Sequence, residues 1–497
     1  MFKSLIWSLV ALLAGGALFW WNIMAEPEVK EVVPCPQLTG RVVAQGEEKY
    51  EQARLDSNYY TSKNKYPHAI VYVHSAQDIQ NAILWARCNK IPLRIRSGGH
   101  NHEGYSTGDG VLVIDVSEMK EIKIDLATKI ATIQPGINNS ELYSELFKNG
   151  LTHVGGTCSS VGLSGLVSSG GMGPLIRKIG LTCDTLLEVE MVDAYGKIIT
   201  ATKDNEHKDL FWAICGGGGG NFGVISALKI KVYPAENVTW FNIGWNWGQP
   251  IKQIFAAWQD FFGKDDRAWF SHLDLWAKTF SAQEFKKEPI RIFGMYWGTP
   301  KQARELLAPI LAIGAPSSVA IEAVDWKKAI ELIEETTAVF ITNKPEYKST
   351  GAFAMEVLPP EGIDIIEKTL KASNSPLLNV LLFSLGGACA EIAPTASAYF
   401  YRDAKFFINY SSQWLQDNDD KKNIIELERL RENLLAYTKG DYIGNPDPEL
   451  KNYLEDYFGG NVARLMCTKK KYDPNNMFRF EQSIPPATAC DCCLGDD

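Results

Sequence analysis

The sequence lacks a long run of basic residues: the longest is Lys469–Lys471, in a chain of 497 residues with a formal net charge of −9. Proteins that bind nucleic acid neutralise phosphates with a basic face, so we expect no nucleic-acid partner. No repeat of fixed period is present, which argues against a solenoid or a propeller. The 10 cysteines are too few for a disulfide scaffold and lack a second pair at zinc-finger spacing, so no metal site is expected.

The composition is that of a globular protein. Hydrophobic residues make up 45% of the chain and aromatic residues 11%, which is enough to build large buried cores. The 41 glycines are clustered, which indicates local backbone requirements and not low complexity. By its length, the chain is predicted to fold into about two or three domains.

Residues 1–25 have the features of a targeting segment. Lys3 supplies a positive charge, an apolar run covers residues 5–24, and Ala25 precedes Glu26. The pattern fits a cleaved signal peptide, but the run is also long enough to span a bilayer as an uncleaved anchor. The sequence leaves both open. Either way we expect an exported protein, periplasmic or secreted, or one associated with a membrane through residues 5–24.

Eight of the ten cysteines fall into two groups. Cys35 and the tail cysteines at positions 490, 492 and 493 lie at the chain ends, where an oxidising compartment would allow a bridge between them. A disulfide is preferred there over a metal site. Four others lie in apolar or glycine-rich stretches and are predicted to be buried thiols: Cys88, Cys183, Cys215 and Cys389.

The first half of the chain is predicted to contain short strands and helices joined by glycine-rich loops. Residues 69–73 predict a strand, and Ser75 is a plausible N-cap for the helix that follows, with Asp78 in its first turn. Residues 111–134 alternate as two strands.

The stretch from Gly216 to Gly223 fits the dinucleotide fingerprint by spacing alone. The segment after it, residues 224–232, alternates as a strand, so no helix N-terminus is there to receive a pyrophosphate. A Rossmann fold is therefore excluded. The glycines instead indicate that a bulky group or another backbone approaches closely.

The composition changes after Pro234, where the glycine clusters thin out and aromatic strands alternate with predicted helices. The helices cover residues 252–262, 300–313, 360–372 and 423–435. Helices separated by antiparallel-looking strands favour an α+β domain whose antiparallel sheet is flanked by helices.

A turn at residues 96–100 reads Arg-Ser-Gly-Gly-His. Gly98 and Gly99 permit a sharp turn with backbone N–H groups free to face an anion, and the imidazole of His100 follows. Taken alone, the turn also fits a glycine-rich hairpin with a solvated histidine. Three further distinctive stretches follow it in order, at residues 156–171, 217–223 and 472–484.

Together these four stretches resemble those of the berberine bridge enzyme-like FAD-linked oxidases, within the vanillyl-alcohol oxidase superfamily. The resemblance covers residues 40–487 and implies an FAD-binding domain of the PCMH type, built in two parts, and an α+β substrate domain. The implied division is 1–25 for the signal peptide or anchor, 40–235 for the FAD-binding domain, 236–450 for the substrate domain, 451–487 for a berberine-bridge-type segment returning to the FAD domain, and 488–497 for a cysteine-rich tail.

In that family the histidine matching His100 bonds to the 8α-methyl carbon of the flavin, and the cysteine matching Cys158 bonds to its 6-position. Covalent FAD held through both residues suits the nucleophilic character of imidazole and thiolate. Backbone groups at residues 97–99 and 168–171 would cradle the pyrophosphate. The residues implied to bind the cofactor are His100, Cys158, Arg96, Ser97, Gly98, Gly99, Ser106, Val161, Gly162, Ser168, Ser169, Gly170, Gly171, Gly223 and Asn476.

Relatives abstract a hydroxyl proton with a tyrosine while a hydride passes to the flavin, and Tyr457 matches that tyrosine. A buried phenol has to be tuned below its solution pKa of about 10 to serve as a base. Asn409 stands where other members carry glutamine or glutamate. His102 stands where plant members often carry tyrosine, and it would act as an auxiliary base or hydrogen-bond the flavin edge. These three residues are the predicted catalytic group.

Val161 matches a position that gates oxygen in relatives, where valine accompanies oxidase behaviour. The implied activity is oxidation of an alcohol or carbohydrate hydroxyl, with O2 as acceptor and H2O2 as product. Two alternatives stay open. One is a dehydrogenase that passes electrons to a quinone or another carrier. The other is a flavin-retaining surface or binding protein with reduced catalysis, since Met172 stands where relatives often carry tyrosine and no aspartate precedes Gly386.

Overall fold

The computed structural model describes residues 35–264, 266–285, 287–337, 346–414 and 420–488. The predicted leader and the tail cysteines at 490, 492 and 493 lie outside these ranges. None of the helices in these ranges is long and apolar enough to cross a membrane. From Gln37 onward the chain forms one compact unit, and the domain boundaries predicted inside it stay predictions.

The described strands form four sheets. They are β1 (Arg41–Ala44), β2 (Ala69–Tyr72), β3 (Leu93–Arg96), β4 (Leu112–Asp115), β5 (Ile122–Asp125), β6 (Ile130–Ile133), β7 (Leu151–Thr152), β8 (Leu186–Val192), β9 (Ile198–Ala201), β10 (Val224–Lys231), β11 (Tyr233–Pro234), β12 (Val238–Trp245), β13 (Trp269–Trp276), β14 (Ile290–Tyr296), β15 (Ser318–Val324), β16 (Glu346–Ala354), β17 (Asn379–Ser384) and β18 (Phe406–Trp414).

Most of the described helices are short. They are α1 (Tyr50–Ala53), α2 (Tyr59–Ser62), α3 (Ala76–Asn89), α4 (Asn139–Phe147), α5 (Leu163–Ser168), α6 (Lys208–Ile214), α7 (Ile251–Phe262), α8 (Ala282–Phe285), α9 (Pro300–Leu306), α10 (Ala308–Leu311), α11 (Trp326–Thr337), α12 (Pro360–Ala372), α13 (Asp420–Leu434), α14 (Tyr453–Phe458) and α15 (Val462–Tyr472).

The first half of the chain builds two main sheets. The four-stranded sheet has the order β1-β2-β4-β3, and its strands are parallel except for β1. The five-stranded sheet has the order β5-β6-β10-β8-β9 and is antiparallel. A separate pair, β7 and β11, completes this half. The two main sheets correspond to the two-part domain expected from the sequence.

The second half builds a seven-stranded antiparallel sheet in the order β15-β12-β14-β13-β17-β18-β16. Helices α7, α12 and α13 pack on one face. In α7 the apolar residues recur every three or four positions, which gives the helix one buried stripe: Ile251, Ile254, Phe255, Trp258 and Phe262. Burial of each such side chain stabilises the fold by about 1.5–3 kcal/mol. The predicted α+β class, with a sheet flanked by helices, is confirmed.

Local predictions are mostly confirmed. The Ser75 side chain accepts the Asp78 N–H and caps α3, and a strand follows Gly223 where a Rossmann fold would need a helix. One prediction is wrong, because residues 111–134 form three strands and not two. The Asp125 carboxylate accepts the N–H groups of Ala127 and Thr128 and turns the chain between β5 and β6, which the alternating pattern conceals.

The buried-thiol prediction is wrong for three of the four cysteines. Cys183 and Cys215 form a disulfide across a sequence separation of 32 residues. Cys88 is exposed and disulfide-bonded, and Cys35 is also disulfide-bonded. Cys389 is buried and free, as predicted. Apolar neighbours in the sequence could not separate these cases, because a disulfide depends on which cysteines the fold brings together.

Candidate active site

A cavity of about 420 Å³ lies between the loops of the first half and the open face of the seven-stranded sheet. Three regions of the first half contribute to one side, at residues 97–102, 156–169 and 218–225, and the last two include helix α5 and the start of strand β10. Strands β13, β16, β17 and β18 contribute to the other side. Loops and strands far apart in sequence therefore meet around one space.

Arg96 fixes the start of the turn that precedes His100. Its guanidinium is buried and bonds to Asp115 Oδ2 at 2.6 Å and to the Ala53 carbonyl at 2.6 Å. At the turn, Gly98 packs against the backbone of Gly162, and a Cβ at Gly98 would lie 2.4 Å from the Gly162 nitrogen. Arg96 thus fixes the end of β3, outside the cavity lining, and the glycines let two loops touch.

His100 and Cys158, the two predicted attachment residues, both line the cavity. His100 Nε2 lies 2.8 Å from Ser160 Oγ, and burial lowers the pKa of His100 to about 4, so its imidazole is neutral at pH 7. Cys158 is a free thiol that solvent reaches through the cavity, although the surrounding protein raises its pKa. Two nucleophilic side chains therefore face the same space.

Most residues predicted to bind the cofactor line this cavity. The lining members are Ser97, Gly98, Gly99, His100, Ser106, Cys158, Val161, Gly162, Ser168, Ser169 and Gly223. Four predicted members are not among the lining residues: Arg96, Gly170, Gly171 and Asn476.

Gly170 and Gly171 lie behind the lining. A Cβ at Gly170 would lie 2.7 Å from the Tyr399 ring, and one at Gly171 would lie 2.2 Å from Thr182 Oγ1. Asn476, with a φ of 51°, lies beside a neighbouring cavity next to Arg94 and Arg479. These three positions serve packing and turning of the chain, so the geometry gives them no direct contact with the main cavity.

His102 lines the cavity, and its side chain is the first member of a series of hydrogen-bonded side chains. His102 Nδ1 bonds to Asn445 Oδ1, and Asn445 Nδ2 donates to Asn409 Oδ1 at 2.7 Å. Ser349 Oγ donates to the same Asn409 oxygen at 2.8 Å. Burial lowers the pKa of His102 to about 4. Two predicted catalytic residues, His102 and Asn409, are thus linked through Asn445.

Tyr457 does not join this group. It is 3% exposed and is not among the residues that line the cavity. Its hydroxyl accepts the Asp447 N–H at 2.9 Å and donates to Gln482 Oε1 at 2.8 Å, and burial holds its pKa well above the ordinary value. A phenol that serves as a base needs access to the substrate and a pKa below its ordinary value of about 10. The burial of Tyr457 outside the cavity lining and its raised pKa are both unfavourable for a base.

The open sheet face brings alternate residues of four strands to the cavity, as expected for a period of two. Its polar members carry amides and hydroxyls, and its large members are mainly aromatic: Asp274, Trp276, Tyr347, Ser349, Asn379, Leu381, Phe383, Phe407, Asn409, Ser411 and Gln413. Asp274 is the one carboxylate in this set, and it is paired with Arg291 and accepts the side-chain N–H groups of Asn379 and Trp276. This face is therefore polar and nearly neutral.

The sequence prediction missed Asn445, Tyr442 and most of the sheet face. Residues 442–448 read Tyr-Ile-Gly-Asn-Pro-Asp-Pro, a composition typical of a turn between elements. Turns between regular elements often carry functional groups, and this was the available indication. For the sheet face, only the pairing of strands decides which of two alternating sets faces the cavity.

A family model described as "FAD binding domain" matches residues 67–202, and one described as "Berberine and berberine like" matches residues 441–485. The uncharacterized FAD-linked oxidoreductase YgaK of Bacillus subtilis (strain 168) is 37% identical over 90% of this chain and 98% of its own length. Berberine bridge enzyme-like 4 of Arabidopsis thaliana is 30% identical over 84% of each chain.

Two solved structures are similar over most of their length. Chitooligosaccharide oxidase superposes with a TM-score of 0.80 at 26% identity, over 90% of this chain and 98% of that one. The wild-type BBE-like 1 of Physcomitrella patens superposes with a TM-score of 0.83 at 25% identity, over 91% and 98% of the two chains.

Proposed function

The chain belongs to the berberine bridge enzyme-like family of FAD-linked oxidoreductases, and we propose that it oxidises a hydroxyl of an alcohol or carbohydrate with O2 as electron acceptor. One observation carries the proposal. A single cavity is lined by His100 and Cys158 and also by the chain from His102 through Asn445 to Asn409. Attachment chemistry and proton-transfer chemistry therefore share one space.

The residues around the cavity fit a flavin dinucleotide. Gly165 and Gly219 line it and leave room: a Cβ at Gly165 would meet no atom within 4 Å, and one at Gly219 only the Gly165 Cα at 3.9 Å. Backbone at Gly98 and Gly99 borders the same space, where N–H groups of a sharp turn suit a pyrophosphate. When bound, FAD supplies a two-electron acceptor for the substrate hydride.

His100 and Cys158 are proposed to hold the flavin covalently. The neutral imidazole of His100 keeps a lone pair available at pH 7 because burial lowers its pKa to about 4. Cys158 is unpaired and lines the same cavity. Its raised pKa means that the thiol has to lose its proton during attachment, so that linkage would form more slowly at acidic pH.

His102 is proposed to accept the proton of the substrate hydroxyl, in place of Tyr457. Its Nδ1 is engaged with Asn445, which leaves Nε2 as the ring atom for a proton. Because the pKa of His102 is lowered to about 4, the ring is unprotonated over the whole neutral range. Asn409 lies at the other end of the hydrogen-bonded series that runs from His102 through Asn445, and it would orient the substrate hydroxyl.

The sheet face supports a neutral, hydroxyl-rich substrate. Amide and hydroxyl side chains such as Asn379, Ser411 and Gln413 alternate with aromatic rings such as Trp276 and Phe407. Amides bond to hydroxyl groups in both directions, and aromatic faces cover the apolar face of a sugar ring. The similarity to a chitooligosaccharide oxidase agrees with this class of substrate.

Val161 lines the cavity and is the residue on which the choice of O2 rests. The disulfide between Cys183 and Cys215 agrees with export to an oxidising compartment. Exported protein would meet O2 and extracellular sugars directly. We therefore propose an exported oxidase that releases H2O2.

The test is a screen of alcohols, monosaccharides and oligosaccharides for H2O2 release by the purified protein. A substrate found there is then mixed with the protein without oxygen, the flavin absorbance is followed, and air is admitted. Bleaching by substrate and recovery within seconds of admitting air would support the oxidase. Bleaching followed by recovery only with a quinone would replace the oxidase by a dehydrogenase, and no bleaching by any hydroxyl compound would overturn the proposal.

A further inference from the structure

The C-terminal segment holds the turn that carries Asn445 through a closed ring of hydrogen bonds. The Asp447 N–H donates to Tyr457 Oη at 2.9 Å, Tyr457 Oη donates to Gln482 Oε1 at 2.8 Å, and Gln482 Nε2 donates to the Asp447 carbonyl at 2.7 Å. Both backbone groups of Asp447 are thereby engaged. All three residues are buried, so each lost bond would leave a polar group without water.

The Asp447 side chain is held as firmly as its backbone. Its Oδ1 accepts from Lys348 Nζ at 2.8 Å, and its Oδ2 accepts from Thr350 Oγ1 at 2.6 Å. On the other side of Pro446, the Asn445 N–H donates to the Tyr442 carbonyl at 2.8 Å. The turn from residue 445 to residue 447 therefore has little freedom to move, and neither does the Asn445 side chain.

The orientation of the Asn445 amide has a chemical consequence for His102. Asn445 donates its amide N–H to Asn409, so its oxygen is the atom that faces His102. An amide oxygen only accepts, and the bond therefore requires the proton of the neutral imidazole to sit on Nδ1. Nε2 is then the unprotonated atom, which is the form that a base needs.

The position of His102 is fixed by contacts of its backbone and of its ring. Its carbonyl accepts from Asn58 Nδ2 at 2.8 Å and from Thr61 Oγ1 at 3.0 Å, and its ring meets the Tyr347 ring edge-on, with centroids 5.3 Å apart. The imidazole is thus fixed in place, and the partner at Nδ1 decides where its single proton lies.

We propose that Tyr457 and Gln482 are positioning residues that hold the 445–447 turn so that Asn445 keeps the His102 proton on Nδ1 and leaves Nε2 free to act as the base. The inference rests on the proposed function for its catalytic meaning. The tautomer itself is a property of the protein and is measurable without turnover. Tyr457 therefore affects the reaction indirectly. It holds the turn, the turn holds Asn445, and Tyr457 itself makes no contact with substrate.

The test compares the unaltered protein with Tyr457→Phe and, as a matched control, Tyr410→Phe. Tyr410 is 0% exposed and its hydroxyl has no hydrogen-bond partner, so this control removes a buried hydroxyl without breaking a bond. ¹⁵N NMR of histidine-labelled full-length protein reports the protonation of each ring nitrogen of His102, assigned with His102→Gln. Turnover is measured on the same samples.

For Tyr457→Phe we expect the Nδ1–H form of His102 to lose its dominance and kcat to fall about ten-fold, with KM changed less than about two-fold. Tyr410→Phe should match the unaltered protein in both respects. If Tyr457→Phe keeps the Nδ1–H form, the inference is overturned, whatever the rate. If it loses that form and turnover is unchanged, the inference about the turn stands and His102 as base is overturned.

A second pair of variants keeps the inference testable if Tyr457→Phe does not fold. Asn445→Asp retains an acceptor for Nδ1–H, whereas Asn445→Leu removes it with the same number and branching of side-chain heavy atoms. We expect Asn445→Asp to keep the Nδ1–H form and Asn445→Leu to lose it, with kcat at least ten-fold lower in the latter. Equal tautomer populations in the two variants would overturn the inference.

Discussion

Gly98 and Gly162 touch through their backbones, and a Cβ on Gly98 would lie only 2.4 Å from the Gly162 nitrogen. This contact joins the loop that carries His100 to the loop that follows Cys158. The two predicted attachment residues therefore depend on a pair of glycines for their approach to one cavity.

Gly98→Ala should separate the two loops, because backbone atoms cannot move aside as a side-chain end can. We expect unfolding in urea to be easier by about 1–3 kcal/mol and the flavin content per protein to fall. Gly362→Ala, inside α12, is the control: its Cβ would meet the Tyr437 ring at 3.4 Å, an ordinary contact, and alanine favours the helix. Full flavin content in Gly98→Ala would contradict the expected role of the contact.

Single attachment variants should each retain flavin, and the double variant should release it. After acid precipitation we expect His100→Ala and Cys158→Ala pellets to stay yellow, with a protein mass raised by one FAD, and the double variant to give a colourless pellet. His68→Ala, which removes an exposed histidine, should behave as the unaltered protein does. A colourless pellet from the unaltered protein would refute covalent attachment.

His102→Gln should lower kcat by about 10²–10⁴-fold, the usual contribution of a general base. In the unaltered protein, kcat/KM should stay level as pH falls through 6.5 and decline only near pH 4. The reason is that burial lowers the pKa of His102 to about 4, so the base form persists at acidic pH. A decline centred near pH 6.5 in the pH–rate profile would indicate a different base.

Stability should decrease as pH falls below 6.5. His272 is 0% exposed among phenylalanines, neither ring nitrogen has a partner, and burial lowers its pKa to about 3. Between pH 6.5 and 3 the unfolded chain binds a proton there that the folded chain does not, so each pH unit costs roughly 1.4 kcal/mol for this group. The free energy of unfolding, measured in urea at pH values from 7 to 4, should fall less steeply with decreasing pH for His272→Leu than for the control His68→Gln.

The disulfide between Cys183 and Cys215 should stabilise the fold by about 3.7 kcal/mol, because it closes a loop in the unfolded chain that spans 32 residues. It also joins segments that carry cavity loops: the Cys183 N–H donates to the Gly170 carbonyl, and the Gly216 N–H donates to the Ser168 carbonyl. The double variant Cys183→Ala, Cys215→Ala should lose that stability in urea unfolding. Cys467→Ala, which leaves the bond between Cys183 and Cys215 in place, should change it much less.

Local chemistry of the chain was sufficient to predict much of the fold. Helix α3 could be predicted because its cap at Ser75 and its apolar spacing act within a few residues. The strand after Gly223 could likewise be separated from a Rossmann helix by its alternation. The resemblance of four short stretches to a known family pointed to His100 and Cys158, and both residues line one cavity. Their covalent attachment to a flavin stays a prediction.

The substrate side could not be predicted in the same way, because it depends on contacts between segments far apart in the chain. Tyr457 matched a motif, yet the tertiary structure buries it behind the cavity wall with both hydrogen bonds used. Asn445 matched none, yet the turn at residues 445–447 brings it between His102 and Asn409. A motif records which residues are present. The direction that a side chain faces, and the atom that it bonds, follow only from the packing of the whole chain.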